Sequence, residues 1–418
     1  MNGFGTASGS SQRTETSVNI LHLYDGHEAV YEGRGSVPNV VWNLARETAR
    51  SGHNVEIIER QWADLPAHAV HEGVRFSRLG LRTGASTPWE RVPYEMIGSL
   101  DGAAKLLVDR VNFALQAMRA LRWRTVDVIH VHLPFAANVL VTVAPWLRDR
   151  TVYTAHIGET EARLREPRFS PDAYLADRVE RTIVLNPTTR TAFESRGVDA
   201  ERLTVVPNGV ERDRFQDVAA DRRGSVRESY GLHEGPIVLF AGTITPRKGV
   251  EALVDAAATV LETVDEDVQF VLVGNTEIEP AYTAAVRRAV DAHGIGSNVV
   301  LTGFVPDDEI PVFFDLADVF VLPSEEEGSS IAVTEAIASG TPVVASRIDG
   351  IRQQIDDGIH GRLVAPGDIE ALATALAEVL DDDGVRAAMA DALGERAAEL
   401  AWPTITERVL DVYREVDR

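Results

Sequence analysis

The chain has 418 residues, a length that favours two domains, and its 44% hydrophobic and 25% charged residues are typical of a globular protein. The net charge of −23 excludes a general nucleic-acid-binding protein, which would be basic. No apolar run reaches the roughly 18 residues that a membrane-spanning helix needs. The absence of cysteine excludes disulfides and thiolate chemistry, and fits a cytoplasmic protein.

The first half of the chain reads as repeated strand, loop and helix units. Residues 1–17 are polar and rich in glycine and serine, which predicts a loose tail rather than a signal peptide. Residues 18–212 then predict one doubly wound domain built on a parallel sheet. Gly35 lies in the first loop, G-R-G-S, where glycine lets the backbone approach a ligand at the carboxyl end of a strand. A plain turn is the alternative for this loop.

Three histidines lie at the ends of predicted strands. Residues two apart on a strand point the same way, so His130 and His132 could chelate a metal, but no third ligand follows at metal-site spacing. No metal site is therefore predicted. A histidine at a strand end that faces a cleft is better interpreted as a hydrogen-bonding or acid–base group, and His156 ends the next strand similarly. A satisfied core histidine is the alternative for each.

A long amphipathic helix is predicted over residues 103–124. Arginines and large apolar side chains alternate along it: Arg110, Phe113, Leu115, Met118, Arg119, Arg122, Trp123 and Arg124. In so acidic a chain, this segment is a candidate for docking on an anionic membrane surface. The alternative is a helix that packs on the core with a solvated arginine face.

The second half repeats the pattern of the first. The charged stretch 213–235 is predicted to be an irregular linker, and residues 236–400 predict a second Rossmann-like domain. Residues 401–418 are amphipathic and predict a closing helix. The predicted fold class is α/β, with two doubly wound domains facing each other across a cleft.

The most informative stretch is 323–346, which reads as strand end, loop, helix, turn and strand. Ser329 or Ser330 can cap the helix, whose open N-terminus is a natural phosphate site. Glu327 and Glu335 can bond the hydroxyls of the group that carries the phosphate. A sugar-nucleotide site is therefore predicted, and two ordinary surface acids are the alternative.

A second loop, T-P-R-K-G, offers two cations beside a helix start. Charge-assisted bonds from Arg247 and Lys248 to phosphate would contribute about 1.5–3 kcal/mol each. Lys248 is one of only two lysines in the chain, so an accidental surface charge is less expected at this position. A solvated turn is the alternative.

These motifs resemble those of the retaining glycosyltransferases of family 4, which have the GT-B fold. The resemblance covers about residues 18–416 and is strongest over E-G-S-S-I-A-V-T-E-A-I-A-S-G-T-P-V-V-A-S. Seven residues separate Glu327 from Glu335, as in the family's two-glutamate motif. The segments V-P-N-G-V, A-D-V-F-V-L-P-S and G-R-L-V-A-P-G-D are similar as well.

The resemblance implies a role for each matched residue. The catalytic group would comprise His132 and Glu327 at the donor sugar, together with two cations, Arg247 and Lys248, at the diphosphate leaving group. Glu335 would bind the nucleotide ribose. The implied donor-binding residues are Gly35, Ser36, Thr243, Arg247, Lys248, Gly303, Phe304, Val305, Glu327, Ser329, Ser330, Ile331, Ala332 and Glu335.

The sequence departs from the family pattern at three places. Ser329 and Ser330 replace the usual Phe-Gly, which bears on the donor-sugar pocket. Thr243 replaces the arginine of the commoner G-R-x-x-x-x-K form, and here Arg247 adjoins Lys248 instead. Ser36 replaces the second glycine of the N-terminal loop. These departures concern donor geometry rather than the class of reaction.

The expected reaction moves a sugar from a UDP- or GDP-sugar to an acceptor hydroxyl, with retained anomeric configuration and without metal or further cofactor. The acceptor could be a glycan, a lipid-linked saccharide or a small metabolite. The alternatives are a sugar-nucleotide 2-epimerase of the same fold, a non-catalytic sugar-nucleotide-binding subunit, and a phosphorylase or synthase acting on glycans or sugar phosphates. A cytoplasmic protein is expected, with peripheral membrane contact through residues 103–124 as a further expectation.

Overall fold

A computed structural model describes residues 17–31, 33, 35–62, 64–81, 100–156, 164, 169–216, 218–327 and 329–416. Residues 1–16 of the predicted tail lie outside the described residues, as does Gly328 of the two-glutamate motif.

The first sheet has eight strands in this part of the chain, in the order 3-4-2-1-5-6-7-8. The strands are β1 Asn19–Leu23, β2 Asn54–Arg60, β3 His68–His71, β4 Val74–Leu79, β5 Val128–Val131, β6 Thr151–Ala155, β7 Arg181–Val184 and β8 Leu203–Val205. All pairings are parallel except that of β3 with β4. Helices cover both faces of such a sheet, so its central strands are apolar without alternation.

The sequence did not predict the hairpin of β3 and β4. Its two-residue turn is Glu72-Gly73, with φ of 43° and 84°. Two central residues with positive φ match the turn whose twist suits a two-residue hairpin. Glutamate is an uncommon first residue for that turn, so the sequence carried little signal for it.

Proline marks the start of several helices in the first domain. The helices are α1 Ser36–Arg50, α2 Leu100–Leu121, α3 Pro134–Val143, α4 Pro171–Ala176 and α5 Pro187–Ser195, with 3-10 turns at Pro145–Arg150, Ala200–Arg202 and Arg212–Phe215. Proline suits the first helical position, where its missing N–H is not needed. The helix predicted over 103–124 corresponds to α2, which begins three residues earlier than predicted. It also ends three residues earlier, because residues 122–124 form a turn.

The second sheet has six strands among the described residues, all parallel, in the order 11-10-9-12-13-14. The strands are β9 Ile237–Ala241, β10 Gln269–Val273, β11 Val299–Gly303, β12 Val319–Leu322, β13 Val343–Ser346 and β14 Gly361–Val364. The helices are α6 Ala220–Tyr230, α7 Val250–Thr263, α8 Pro280–His293, α9 Ile310–Leu316, α10 Ile331–Ser339, α11 Asp349–Arg352, α12 Ile369–Asp381, α13 Asp383–Leu400 and α14 Trp402–Val416. The prediction of two Rossmann-like parallel sheets is confirmed.

The strand order locates the ligand crevices. In each sheet the order reverses direction at one place, between β1 and β5 in the first and between β9 and β12 in the second. Ligands of open α/β sheets bind outside the carboxyl ends of the strands at such a switch point. The loops that follow these four strands are therefore the ones that can form a site.

The prediction of irregular structure over residues 213–235 is wrong, because α6 lies inside that stretch. Val226 is buried, and Tyr230 packs edge-on against Phe313 of α9, with ring centroids 5.1 Å apart. Arg223 of α6 also forms an ion pair with Asp315 of α9. Only Val226 of α6 is buried, so apolar periodicity could not reveal the helix.

Helix α13 was also not predicted. Its buried side chains, Met389, Leu393, Ala397 and Leu400, fall at helical spacing, but alanine and charged residues surround them.

The last helix returns to the first domain. The Tyr413 hydroxyl lies 2.6 Å from His130 Nδ1 of β5, and Arg181 of β7 pairs with Glu415 at 3.0 Å. The chain crosses from one domain to the other at two places, near Val210 and near Leu400. These two crossings lie side by side, because the Val210 N–H donates to the Leu400 carbonyl. A Cβ at Gly209 would lie 2.6 Å from the Trp402 ring, so this passage needs glycine. The predicted closing helix is thus a helix that ties the chain end to the first sheet.

Candidate active site

The loops after β9 and β12 are locked together at the switch point of the second sheet. Gly249 has φ +67°, and a Cβ there would lie 2.3 Å from the Pro323 carbonyl oxygen. The Glu325 N–H donates to the Arg247 carbonyl at 2.9 Å. Glycine is required at 249 both for its left-handed backbone and for this close approach. The predicted cation loop and the two-glutamate loop are thus one structural unit.

Two cations converge on one carboxylate in this unit. Lys248 Nζ lies 2.5 Å from Glu327 Oε1, and Arg247 Nη1 lies 3.5 Å from the same oxygen. Lys248 and Glu327 are largely buried, with 11% and 9% of their side chains exposed. The three side chains carry one net positive charge, and Glu327 holds both cations in position before any ligand arrives. An anion bound beside them would meet preorganised charge.

The N-terminus of α10 lies at the end of the same loop. Ser330 is the N-cap, and its Oγ accepts from the Val333 N–H at 3.3 Å. Gly340, with φ +78°, ends the helix as the C-terminal cap. The cap leaves the N–H groups of Ile331 and Ala332 as the ones that the helix can offer to an anion.

Gln354 clamps the cap residue, a contact that no motif in the sequence predicts. Its Oε1 accepts from the Ser330 N–H at 3.0 Å, and its Nε2 donates to the Ser330 carbonyl at 2.7 Å. The Gln354 side chain is buried, and Arg396 Nε donates to its carbonyl at 2.7 Å. The amide N–H of Ser330, a residue of the predicted phosphate site, is therefore already paired within the protein.

Glu335 lies in the second turn of α10. Although part of its side chain is exposed, burial raises the pKa of this carboxyl to about 7, with the Arg214 charge acting in the opposite direction and Asp307 adding to the rise. Its ionisation near neutral pH means that its capacity to accept hydrogen bonds varies in the physiological range.

The remaining predicted donor-binding residues of the second domain lie at the carboxyl edge of its sheet. Thr243 follows β9, Gly303 ends β11 with φ +74°, and Val305 is buried. Phe304 is 59% exposed. Ser329 is half-buried beside the α10 cap. Their contact with a donor stays a prediction.

The loop after β1 holds the predicted glycine of the first domain. Gly35 is the residue before α1, and its N–H donates to Glu28 Oε2 at 2.9 Å. Its φ of −72° is ordinary, but a Cβ would lie 3.1 Å from the Glu28 carboxylate. Ser36, the first residue of α1, is exposed. Both residues lie at the switch point between β1 and β5, as a ligand-binding role requires.

His132 follows β5 at the same switch point, but its ring faces other histidines. Nε2 lies 2.9 Å from His22 Nδ1, and Nδ1 lies 2.9 Å from His156 Nε2. The ring is 1% exposed. Both ring nitrogens are engaged within the protein, so in this conformation the ring offers neither to a donor sugar.

The structure supplies the third histidine that the sequence lacked. His22 of β1 is paired in register with His130, and ring nitrogens of His22, His130 and His132 all lie within 4.8 Å of one another. His130 and His132 lie 108 and 110 positions after His22 in the sequence, so only the strand order brings the three residues together. Most of these nitrogens bond to another histidine or to a hydroxyl group.

The carboxyl edges of the two sheets face each other. The Thr188 hydroxyl, in the first turn of α5 after β7, donates to the Asp349 carboxylate at the start of α11 after β13. A contact between loops that both follow strand ends places the two switch points on opposite walls of one cleft.

The arginines of the predicted membrane helix differ in availability. Arg110 is buried and lies 3.5 Å from both Asp25 and Asp109, and Arg124 pairs with Glu56 at 2.9 Å. Arg119 and Arg122 are exposed, and Trp123 is 86% exposed. Among the described residues, no helix is long and apolar enough to cross a bilayer.

Comparison with known families covers both halves of the chain. The model described as Glycosyltransferase Family 4 matches residues 37–214, and the model described as Glycosyl transferases group 1 matches residues 223–399.

Two named relatives span most of the chain. A D-inositol 3-phosphate glycosyltransferase of Xylanimonas cellulosilytica is 29% identical over 92% of this chain and 92% of its own length. A GDP-mannose-dependent alpha-(1-6)-phosphatidylinositol monomannoside mannosyltransferase of Mycobacterium tuberculosis is 32% identical over 67% of this chain and 74% of its own. The chain therefore belongs to glycosyltransferase family 4.

Solved structures share the fold. Sucrose-phosphate synthase from Thermosynechococcus elongatus superposes with a TM-score of 0.75 at 24% identity, over 95% of this chain and 99% of the other. Anabaena Alr3699/HepE, in complex with UDP and glucose, has a TM-score of 0.72 at 19% identity, over 95% and 100%. The fold is GT-B, and the protein is a glycosyltransferase that draws on a nucleotide sugar. The epimerase and binding-subunit alternatives find no support among these relatives.

Proposed function

We propose that the protein transfers a hexose from a UDP- or GDP-sugar to an acceptor hydroxyl with retention of anomeric configuration, without a metal or another cofactor. The observation that carries this proposal is the Lys248–Glu327–Arg247 cluster beside the α10 N-terminus, at the switch point of the second sheet. No other feature of the described chain combines fixed cations with an open helix terminus in the cleft.

The chemistry follows from where negative charge develops. As the bond from the anomeric carbon to the diphosphate breaks, charge accumulates on the leaving oxygen and phosphate. Lys248, Arg247 and the amides of Ile331 and Ala332 would meet that charge in fixed positions, without reorganisation. Charge-assisted hydrogen bonds from Lys248 and Arg247 would stabilise the diphosphate without a metal ion.

Retention follows from attack on the same face. If the leaving group stays in place and the acceptor approaches beside it, the acceptor hydroxyl can pass its proton to the departing phosphate oxygen as the new glycosidic bond forms. Glu327, held by both cations, would bond donor-sugar hydroxyls and fix the sugar's orientation. The ribose would lie at Glu335.

The acceptor is proposed from the named relatives. One is named for inositol 3-phosphate and another for a phosphatidylinositol mannoside, so an inositol-type polyol, free or lipid-linked, is the first acceptor class to test.

Donor screening by thermal shift tests the proposal first. A ligand at 100 times its Kd stabilises the fold by about 2.7 kcal/mol, so the correct nucleotide sugar should stand out from the others. Product analysis by NMR would then give the anomeric configuration, with turnover measured with and without EDTA. An inverted product, or loss of activity in EDTA that Mg²⁺ restores, would contradict the proposed mechanism.

We also propose peripheral membrane contact through the exposed side chains of α2 and of the turn that follows it. Leu107 and Trp123 are 64% and 86% exposed, and Arg119 and Arg122 add exposed positive charge. Vesicles with anionic lipid should sediment the protein, and vesicles of neutral lipid should not. The double variant Arg119→Ser, Arg122→Ser should lose this binding, whereas the Arg124→Ser control, whose guanidinium pairs with Glu56, should keep it.

A further inference from the structure

Three imidazole rings form a continuous hydrogen-bonded row beneath the cleft. His22 Nδ1 lies 2.9 Å from His132 Nε2, and His132 Nδ1 lies 2.9 Å from His156 Nε2. The row starts inside β1, where His22 is fully buried, and ends beyond β6 at half-buried His156. The ring planes of successive members are stacked, at 11° and 24°.

All members of the row are neutral at physiological pH. Burial lowers the pKa of His22 to about 3 and lowers the pKa of His156. It also holds the pKa of His132 well below its ordinary value, with further lowering from the neighbouring histidines. A neutral imidazole has one N–H donor and one acceptor nitrogen. His132 must therefore donate on one side and accept on the other, and the three rings share one direction of donation.

The inner end of the row decides the direction. His22 Nε2 is buried and has no hydrogen-bond partner among the described residues. If donation ran inward from His156, this atom would be a buried N–H without an acceptor, a rare arrangement in folded proteins. If donation runs outward, it is only an unused lone pair. Outward donation places the proton of every ring on Nδ1.

We propose that His22 acts as a positioning residue that fixes the tautomers of His132 and His156, so that His156 presents its Nδ1–H to the cleft as a donor. The described residues provide no acceptor for that N–H, and β6 ends at the carboxyl edge where the two sheets face each other. Its acceptor would be an oxygen of the nucleotide sugar, a sugar hydroxyl or a phosphate oxygen, so this part rests on the proposed function.

His130 lies beside the row without belonging to it. Its ring centroid is 4.2 Å from that of His132, but its nitrogens bond to the hydroxyls of Tyr413 and Thr154, at 2.6 Å each. It is as buried as His22. His130 therefore serves as a matched control, since its replacement disturbs the same packing without breaking the row.

Nitrogen NMR of the full-length protein with ¹⁵N-labelled histidine tests the tautomers directly. Outward donation predicts a protonated Nδ1 and a bare Nε2 at His22, His132 and His156, each assigned by its own substitution. Protonated Nε2 at His156 would overturn the proposal. So would a stoichiometric metal ion bound to the purified protein and lost with His22, because a metal would occupy the nitrogens that the row uses.

Substitutions then connect the row to function. His22→Leu should mix the tautomers of His156 and lower kcat/KM about tenfold, mainly through the KM for the donor, the effect of one lost hydrogen bond. His22→Asn, whose amide N–H can replace Nδ1–H, should restore the tautomers and most of the activity. His130→Gln should leave the His156 tautomer unchanged. Unchanged tautomers in His22→Leu, or an equal change in His130→Gln, would overturn the positioning role.

Ligand titration separates this inference from the proposed function. A nucleotide sugar that shifts the His156 Nδ1 resonance when the nucleoside diphosphate does not identifies a sugar hydroxyl as the acceptor, and a shift with both identifies phosphate. No shift with a donor that binds by thermal shift would overturn the donor contact. If no nucleotide binds at all but the tautomers are as expected, the proposed function fails and the tautomer row stands.

Discussion

The two walls of the cleft are built on the same sheet topology but use opposite kinds of chemistry. The second domain presents charged groups, with Lys248, Arg247 and Glu327 held within two short loops. The first domain presents neutral histidines that are buried and strongly shifted away from protonation. Under the proposed function, the charged groups would stabilise a diphosphate, and the neutral donors and acceptors would orient uncharged hydroxyls. The proposed leaving-group stabilisation and the proposed substrate positioning would thus lie on opposite walls of one cleft.

The largest expected effect comes from separating the two loops of the charged wall. Gly249→Ala places a side chain at φ +67° and drives its Cβ against the Pro323 carbonyl. We expect a loss of roughly 2–5 kcal/mol in the free energy of unfolding, from left-handed strain and overpacking together. Denaturant unfolding would measure it. Gly294→Ala has the same backbone strain, φ +69°, with nothing near the new Cβ, and should lose only the smaller part. Equal losses would show that the loops are not locked at Pro323.

Removal of the buried cation tests the charged wall itself. Lys248→Ala should lower kcat/KM at least tenfold, about 1.4 kcal/mol or more of transition-state stabilisation. Lys105→Ala is the matched control, since Lys105 is the only other lysine, lies on the exposed face of α2 and pairs with Asp101. Steady-state kinetics at saturating acceptor would measure both. Near wild-type turnover in folded Lys248→Ala would remove the leaving-group role and with it the contrast between the walls.

The clamp on the α10 N-terminus is expected to have a smaller effect. Gln354→Leu leaves the Ser330 N–H buried and unpaired, which costs about 1–3 kcal/mol of stability. The Ser330 carbonyl loses one of its two hydrogen bonds and keeps the one from the Thr334 N–H. Because the cap then shifts, the Kd for the nucleoside diphosphate should rise, by roughly threefold to tenfold. Calorimetric titration would measure the Kd. Gln353→Leu, a neighbouring change outside the clamp, should leave it unchanged; an equal rise there would argue for a general disturbance of the turn.

The smallest expected effect is a pH dependence that belongs to one wall only. With a pKa of about 7, Glu335 would accept hydrogen bonds from the ribose proposed to lie there fully only above neutral pH. The KM for the donor should therefore rise as pH falls from 8 to 6, by up to about fivefold between pH 7 and 6. Glu335→Gln should abolish this dependence. A rise that persists in Glu335→Gln would contradict this assignment, since the histidines of the first domain have lowered pKa values and are not expected to be protonated in that range.

Most of the charged wall could be predicted from the sequence because its residues are local. Arg247 and Lys248 occupy one loop, and the cap, the two glutamates and the terminal glycine of α10 lie within one stretch. Short-range rules for caps, turns and charge act over such distances. Gln354 was missed for the opposite reason: it reaches the cap from another element, and a glutamine in a turn carries no pattern of its own.

The fold class, the pair of Rossmann-like domains, and the loops with the charged residues at the start of α10 could all be predicted from the sequence. Hydrophobic periodicity and helix capping are local properties, so a linear reading recovers them. Tertiary structure alone decided that α6 packs as a helix in the presumed linker and that α14 returns to the first sheet. It also joined His22 to His132 and His156, because strand order places β1 beside β5 across more than a hundred residues. Contacts of that range depend on the topology of the sheet, which no neighbouring residue encodes.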